Sequence, residues 1–75
     1  MQLGGYNAGT GEAIFTTKTG VKLLEMNIGE NQVLRYHEIQ NGFVRAEMQM
    51  RKQIIEEFRF SLERDVSAIL NKYGV

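Results

Sequence analysis

The chain has 75 residues, with nine Lys and Arg against nine Asp and Glu, one His, no Cys and no Pro. This length predicts a single small domain, and the zero net charge argues against a protein that binds nucleic acid by neutralising phosphates. The absence of Cys excludes disulfide frameworks, thiolate metal sites and thiol catalysis. A domain of this size without such cross-links buries little surface by itself, which favours oligomerisation.

The N-terminal segment is rich in glycine and shows no hydrophobic period. Gly4, Gly5, Gly9 and Gly11 fall within residues 1–12, which we predict to be a flexible, loosely ordered arm. The segment lacks the basic and apolar regions of a secretory signal, and no stretch of the chain reaches the roughly 18 apolar residues of a membrane span. We therefore expect a cytoplasmic protein without a membrane partner.

The middle of the chain has the composition and the loops of an antiparallel sheet. β-Branched and aromatic residues at 13–17 precede a hairpin loop at 18–20, in which Gly20 takes a left-handed conformation. Further strands are predicted at 21–28 and 32–40, which completes a three-stranded antiparallel β-meander. Both faces of this predicted sheet carry apolar side chains, so each face needs a cover.

A competing interpretation applies to the last of these segments. Residues 30–40 also fit a helix capped by Asn31, with Asn41-Gly42 as the joint to a second helix. Short apolar runs do not decide between strand and helix by their period alone, so both interpretations stay open.

The C-terminal part of the chain predicts one long amphipathic helix. From Phe43 to Tyr73 the sequence has no Gly or Pro and is rich in helix formers, and Gly74 provides the stop signal. Such a helix is about 45 Å long, so either it breaks near Ser61 or a second copy supports its overhang. The expected fold class is α+β, with the meander and the helix in one small domain over residues 13–75. We favour a helix-mediated dimer or higher oligomer.

The oligomer interface is predicted along the apolar stripe of this helix, where residues recur at spacings of three and four. An antiparallel pairing centred on Phe58 places Arg51 of one copy beside Asp65 of the other, whereas a parallel pairing sets Arg51 against its own copy. The alternative is an ion pair between Arg51 and Glu47 within one helix. The predicted interface residues are Val44, Met48, Arg51, Ile55, Phe58, Leu62, Asp65, Val66 and Ile69.

Three basic residues of the same helix, Arg45, Lys52 and Arg59, lie seven positions apart and share one face. Glu56 and Glu63 belong to that face as well, and Arg59 has an i,i+4 partner in Glu63. We therefore interpret this face as a solvated surface of mixed charge.

The sequence offers little equipment for catalysis. His37 is the only imidazole, Asp65 is the only aspartate, and Ser61 and Ser67 lie within the predicted helix. We expect no enzyme activity, no cofactor and no metal site. Arginine and aromatic side chains do suit the binding of a planar anion, although the same types are enriched at protein interfaces. The candidate contacts for such a ligand are Tyr36, Arg51, Arg59, Phe60 and Arg64.

Two functions from different classes are compatible with these features. The first is a small homo-oligomeric accessory protein that docks stoichiometrically on a protein partner and modulates or inhibits it. The second is sequestration of a small, nucleotide-like anion at an interface between protomers. A nucleic-acid partner is not expected, because acidic residues are interspersed among the arginines.

Overall fold

The computed structural model describes residues 1–29, 36–61 and 66–75 of the chain. Within these ranges three strands are followed by two helices, which confirms the predicted α+β class. The elements are β1 Gln2–Tyr6, β2 Glu12–Thr16, β3 Lys22–Asn27, α1 Tyr36–Phe60 and α2 Val66–Tyr73.

The three strands form an antiparallel sheet in the order β1-β2-β3. Strands β2 and β3 occupy the two segments that the hairpin pattern predicted, and Phe15 pairs with Leu24 across them. Between these strands Gly20 has φ of +89°, which confirms the left-handed turn conformation expected from the sequence. The predicted β-meander therefore exists, although its third strand comes from a different part of the chain.

That strand is β1, which lies in the segment predicted to be a loosely ordered arm. The backbone of residues 2–6 pairs with β2 despite its glycines, and Leu3 and Tyr6 pack against the core. The Tyr6 hydroxyl also donates a hydrogen bond of 2.7 Å to the carbonyl of Gly29. Backbone pairing and two anchoring side chains thus order a segment that has no hydrophobic period of its own.

The strand predicted at 32–40 is wrong for residues 36–40, which form the first turns of α1. The helical alternative is confirmed for these five residues, whereas residues 30–35 lie outside the described part of the chain. The expected joint at Asn41-Gly42 is also wrong, because α1 continues through both residues. Gly42 is tolerated inside the helix because the Phe15 ring occupies the space beside its Cα.

The single long C-terminal helix is wrong as well. Helix α1 ends at Phe60 and α2 begins at Val66, so the break falls near Ser61, as the first of the two sequence alternatives held. Helix α2 packs against α1, and its last residue, Tyr73, is buried in the core. Helix α2 of the same chain therefore supports part of the long helical segment, for which the second sequence alternative required another copy.

One face of the sheet packs on α1 and the other is largely polar. Phe15 is fully buried and meets the Phe43 ring edge-on, with centroids 5.3 Å apart. The opposite face carries Glu12, Ile14, Glu25 and Asn27, since these residues alternate with the core-facing positions of β2 and β3. Two apolar faces were expected because the incorrect third strand contributed apolar residues to both.

The molecule is elongated, with extents of 46 × 16 × 16 Å. Helix α1 has 25 residues and sets this length, since 25 residues at 1.5 Å each span about 37 Å. The sheet and α2 pack on one side of α1. The opposite side, which we call the outer face, is the surface on which the candidate site lies.

Candidate functional site

Helix α1 has two faces with different surroundings. Its inner face contains Gly42 and Ala46, which are buried, and Phe43, Met50 and Ile54, which are partly buried against the core. Inner-face contacts account for the fold, because they join α1 to the sheet and to α2. They leave the outer face without a cover among the described residues.

A row of five residues runs along this outer face at alternating spacings of four and three. We call Val44, Met48, Arg51, Ile55 and Phe58 the outer row. Val44 is 59% exposed, Met48 67% and Ile55 51%, whereas Phe58 is half-buried. The row extends over about 21 Å, and its spacing is that of the contact positions in helix–helix packing. Several exposed apolar side chains on one face of a helix are typical of a docking surface.

Basic side chains border the outer row along one edge. Arg45 and Lys52 follow Val44 and Arg51 directly in sequence, and Arg59 likewise follows Phe58, so all three lie on the same side of the row. We call Arg45, Lys52 and Arg59 the basic edge. Each of them is exposed, and none forms an ion pair with a residue in the described ranges.

The remaining cation of this surface, Arg51, has a partner. Its guanidinium donates to the Glu47 carboxylate at 3.1 Å, one turn earlier in α1. This is the intrahelical ion pair given as the alternative in the sequence analysis. With side chains 73% and 52% exposed, the pair is solvated and free to rearrange when another surface covers the row.

Three open cavities follow one another along the outer face and share lining residues. The first, of about 440 Å³, lies where Leu24 of β3 meets α1, the second has about 430 Å³, and the third has about 370 Å³ beside Val66 of α2. Because each cavity shares lining residues with the next, we call the three together the outer groove. Its walls on α1 comprise Arg45, Met48, Gln49, Arg51, Lys52, Ile55, Glu56, Phe58 and Arg59.

Most of the predicted interface residues that are described lie on this groove. The five residues of the outer row form one line, and Val66 lies at its C-terminal end. Ile69 packs toward the core from α2. Leu62 and Asp65 lie outside the described residues, and so does the predicted Arg51–Asp65 contact.

The predicted dimer register depended on a continuous helix. Pairing two antiparallel copies about Phe58 needs a helix that continues well beyond that residue, but α1 ends at Phe60. Only residues 56–60 of each α1 would then overlap. The pairing about Phe58 stays a prediction, since several residues that it matches lie outside the described ranges.

The described residues that were predicted to bind an anion are spread along α1. Tyr36 begins α1 and lies about 35 Å along the helix from Arg59. Phe60 is 82% exposed and lines a different cavity, on the side of α2. Arg51 and Arg59 do line the same cavity of about 430 Å³, and Arg64 lies outside the described residues.

The basic edge was predicted to belong, with Glu56 and Glu63, to a solvated face of mixed charge, and its three residues are exposed. The seven-residue spacing was the signal that they border the outer row, since that row repeats every seven residues. The Leu24 wall of the groove had no such signal, because only the packing of β3 on α1 brings it there.

A separate polar cluster joins α2 to the inner side of α1. The Lys72 ammonium lies 2.6 Å from a Glu57 carboxylate oxygen, and the Tyr73 hydroxyl donates to the Gln53 side-chain oxygen at 3.3 Å. The hydrogen bond between Lys72 and Glu57 lowers the pKa of Glu57 and raises that of Lys72. Burial raises the pKa of Tyr73. This arrangement fastens the end of α2 to α1.

We expect the contribution of this cluster to stability to depend on pH. The folded-state pKa of Glu57 is depressed, so its contribution is present above the ordinary carboxyl pKa and is lost as the pH falls through the folded-state value. The raised pKa values of Lys72 and Tyr73 make the contribution fall again at alkaline pH, above the ordinary values of those groups.

Thermal unfolding across the acid range measures this effect. Glu57→Gln should lower the melting temperature by no more than a few degrees near neutral pH, because the pair is substantially solvated. The substitution should also make the melting temperature depend less on pH in the acid range. Glu56→Gln is the matched control, since the neighbouring glutamate has no ion pair within the described residues. If the melting temperatures of the unmodified protein and of both variants fall equally as the pH is lowered, the prediction is contradicted.

His37 lies on the exposed side of α1, with its ring edge-on to Tyr36. The residues in the described ranges contain no group of three His, Asp or Glu arranged to hold a metal ion. Neither of the two described helices combines the length and the apolar character needed to cross a membrane.

Comparison with protein families, with curated proteins and with solved structures found no match to this chain.

Proposed function

We propose that this protein acts stoichiometrically and without catalysis, by docking the outer groove of α1 on a protein partner and modulating that partner. The observation that carries the proposal is the outer row, in which Val44, Met48 and Ile55 are each more than half exposed. Their spacing suits contact with another helix, and the groove extends along the row as a helix would. A surface of this kind gains apolar burial only when a second molecule covers it.

Self-association is part of the same proposal, because a second copy is one of the surfaces able to cover the outer row. A homo-oligomer formed in this way would still present its polar sheet face and α2 to a further partner. A cross-linker placed in the groove distinguishes the two occupants, because a second copy and a different protein give adducts of different mass.

The experiment uses a photoreactive phenylalanine analogue introduced at Met48 in the cells that produce the protein. We expect a discrete adduct of defined mass, with one protein bound per chain. The same analogue at Phe60 is the control, since Phe60 is the most exposed apolar side chain of α1 but lies outside the groove. Absence of a discrete adduct at Met48, or equal labelling from Phe60, contradicts the proposal.

Ile55→Asp gives a quantitative prediction for the same surface. Burial of an isoleucine side chain contributes about 1.5 to 3 kcal/mol, so the substitution should weaken docking by about tenfold or more. Because Ile55 is 51% exposed, the free energy of unfolding should change by no more than about 0.5 kcal/mol. Phe60→Asp is the matched control, an exposed apolar residue of the same helix changed to aspartate, and it should leave docking unchanged.

The second candidate function, sequestration of a small anion, is favoured by one observation. Three cations and one carboxylate line a single cavity of about 430 Å³ together with two apolar side chains; they are Arg51, Lys52, Arg59, Glu56, Met48 and Ile55. Cations around an apolar floor suit a ligand with a flat apolar body and a negative charge. Titration with adenosine monophosphate and a melting-temperature readout tests this function, and a rise that Arg59→Gln abolishes supports it.

A further inference from the structure

We infer that the occupant of the outer groove is an amphipathic partner helix that carries a row of acidic side chains along one edge. This inference rests on the proposed function and adds the chemistry of the partner. It depends on the position of the basic edge, which runs beside an exposed apolar row and has no acidic partner in the described part of the chain.

The geometry fits a helix better than a loop or a flat surface. The outer row repeats with the seven-residue period of helix–helix contacts, and a helix packed at about 20° to α1 stays in contact with such a row. The basic edge repeats with the same period, so its side chains are about 10.5 Å apart along the axis of α1. Acidic side chains seven residues apart on the partner helix would match them one to one.

Charge on the outer face is unevenly distributed, although the chain as a whole is neutral. Arg45, Arg51, Lys52 and Arg59 line the groove or its edge, whereas Glu47 is paired with Arg51 and Glu56 is the remaining described acid beside the groove. Among the described residues, the surface on which a partner would dock therefore carries more cations than carboxylates. Complementary acidic residues would steer the encounter and select the partner.

A second copy of this chain satisfies these charges less well. The antiparallel register that covers the whole outer row sets Met48 of one copy beside Arg51 of the other. The same register brings Arg45 of one copy toward Lys52 of the other at two symmetrical places. A parallel register sets Arg51 against its own copy. Both arrangements bring cations together, whereas an acidic helix does not.

Two designed peptides of about three heptads test the inference. Both have leucine at the contact positions, and one has glutamate at every edge position where the other has lysine. Fluorescence anisotropy with the full-length protein should show at least tenfold tighter binding of the acidic peptide, and the preference should shrink as salt is added. The double substitution Lys52→Glu with Arg59→Glu should reverse the preference.

Two further variants keep the test decisive. Lys18→Glu changes an exposed lysine outside the groove and should leave the preference intact. If the double reversal fails to fold, Lys52→Gln with Arg59→Gln should remove most of the preference without introducing new charges. Circular dichroism at the start of each titration establishes that the variant is folded.

The outcomes separate the inference from the function on which it rests. Equal affinity for the two peptides, lost in Ile55→Asp, overturns the acidic-helix inference and leaves the proposed docking function intact. No binding of either peptide, with no adduct from the groove in cells, overturns both. A stable dimer that Ile55→Asp dissociates and that excludes both peptides overturns the inference in favour of a second copy. Binding to phosphatidylglycerol vesicles with no preference between the peptides overturns it in favour of a lipid surface.

Discussion

Replacing Gly42 with alanine should destabilise the protein by about 2 kcal/mol, which is the cost typical of forcing extra volume into a packed core. In most helix positions the same change stabilises by up to about 1 kcal/mol, because alanine is the better helix former. The sign reverses here because a Cβ on Gly42 would overlap the Phe15 ring and lie 2.6 Å from its Cε1. Phe15 is fully buried and held by Phe43, so the ring has little freedom to withdraw.

Urea unfolding followed by circular dichroism measures this change. Asn41→Ala is the matched control, since Asn41 is exposed in the same turn of α1, and it should leave stability unchanged or raise it slightly. A double-mutant cycle with Phe15→Leu isolates the contact, because a smaller side chain makes room for the new Cβ. If Gly42→Ala proves as stable as the unmodified protein, the close approach of α1 to β2 is incorrect.

The sequence predicted those parts of the fold that depend on local pattern. Alternation and turn chemistry located β2, β3 and the Gly20 turn, since each needs only residues near one another in the chain. The strand β1 was missed because its glycines give no periodic signal. It forms through pairing with β2 and through Tyr6, whose hydroxyl reaches Gly29. Contacts between distant residues of this kind are not encoded in a local window.

In the candidate site, too, the features that depend on local pattern were predicted and those that depend on long-range packing were not. The seven-residue repeat of the outer row was visible in the sequence, and it placed Val44, Met48 and Ile55 on one face. Whether that face is buried or exposed depends on which side of α1 the sheet occupies, and long-range packing such as that of Phe15 against Gly42 decides that side. The end of α1 at Phe60 likewise has no signal in the local pattern, since helix formers continue beyond it in the sequence.

The inner and outer faces of α1 divide the helix between folding and binding. Small residues, Gly42 and Ala46, allow the sheet to approach closely on the inner face. Longer apolar side chains project from the outer face, where they contribute nothing to the core of a single chain. Substitutions on the two faces should therefore have separable effects, with inner changes lowering stability and outer changes lowering affinity.

Tyr73→Ala should have the larger effect on stability, a loss of about 3 to 4 kcal/mol, which is typical of truncating a buried aromatic side chain. Tyr73 is 4% exposed and belongs to the core, although it lies at the end of the short helix α2. A domain of this length is expected to have a free energy of unfolding of about 4 to 11 kcal/mol, so the substitution removes a large part of it. An eight-residue helix is also too short to persist in water without tertiary contacts. We therefore expect α2 to open locally before the rest of the chain unfolds.

Hydrogen exchange and urea unfolding together distinguish this effect from a uniform loss of stability. In Tyr73→Ala the amides of α2 should exchange much faster than in the unmodified protein. The amides of β2 should still exchange only through global unfolding, at the rate that the reduced global stability sets. Tyr73→Phe is the control that keeps the ring and removes the hydrogen bond to Gln53, and it should cost about 1 kcal/mol or less. Asn71→Ala tests an exposed position of the same helix and should leave both measurements unchanged. Unchanged exchange in α2 of the alanine variant would show that Tyr73 does not anchor this helix, and the groove wall at Val66 would then need another support.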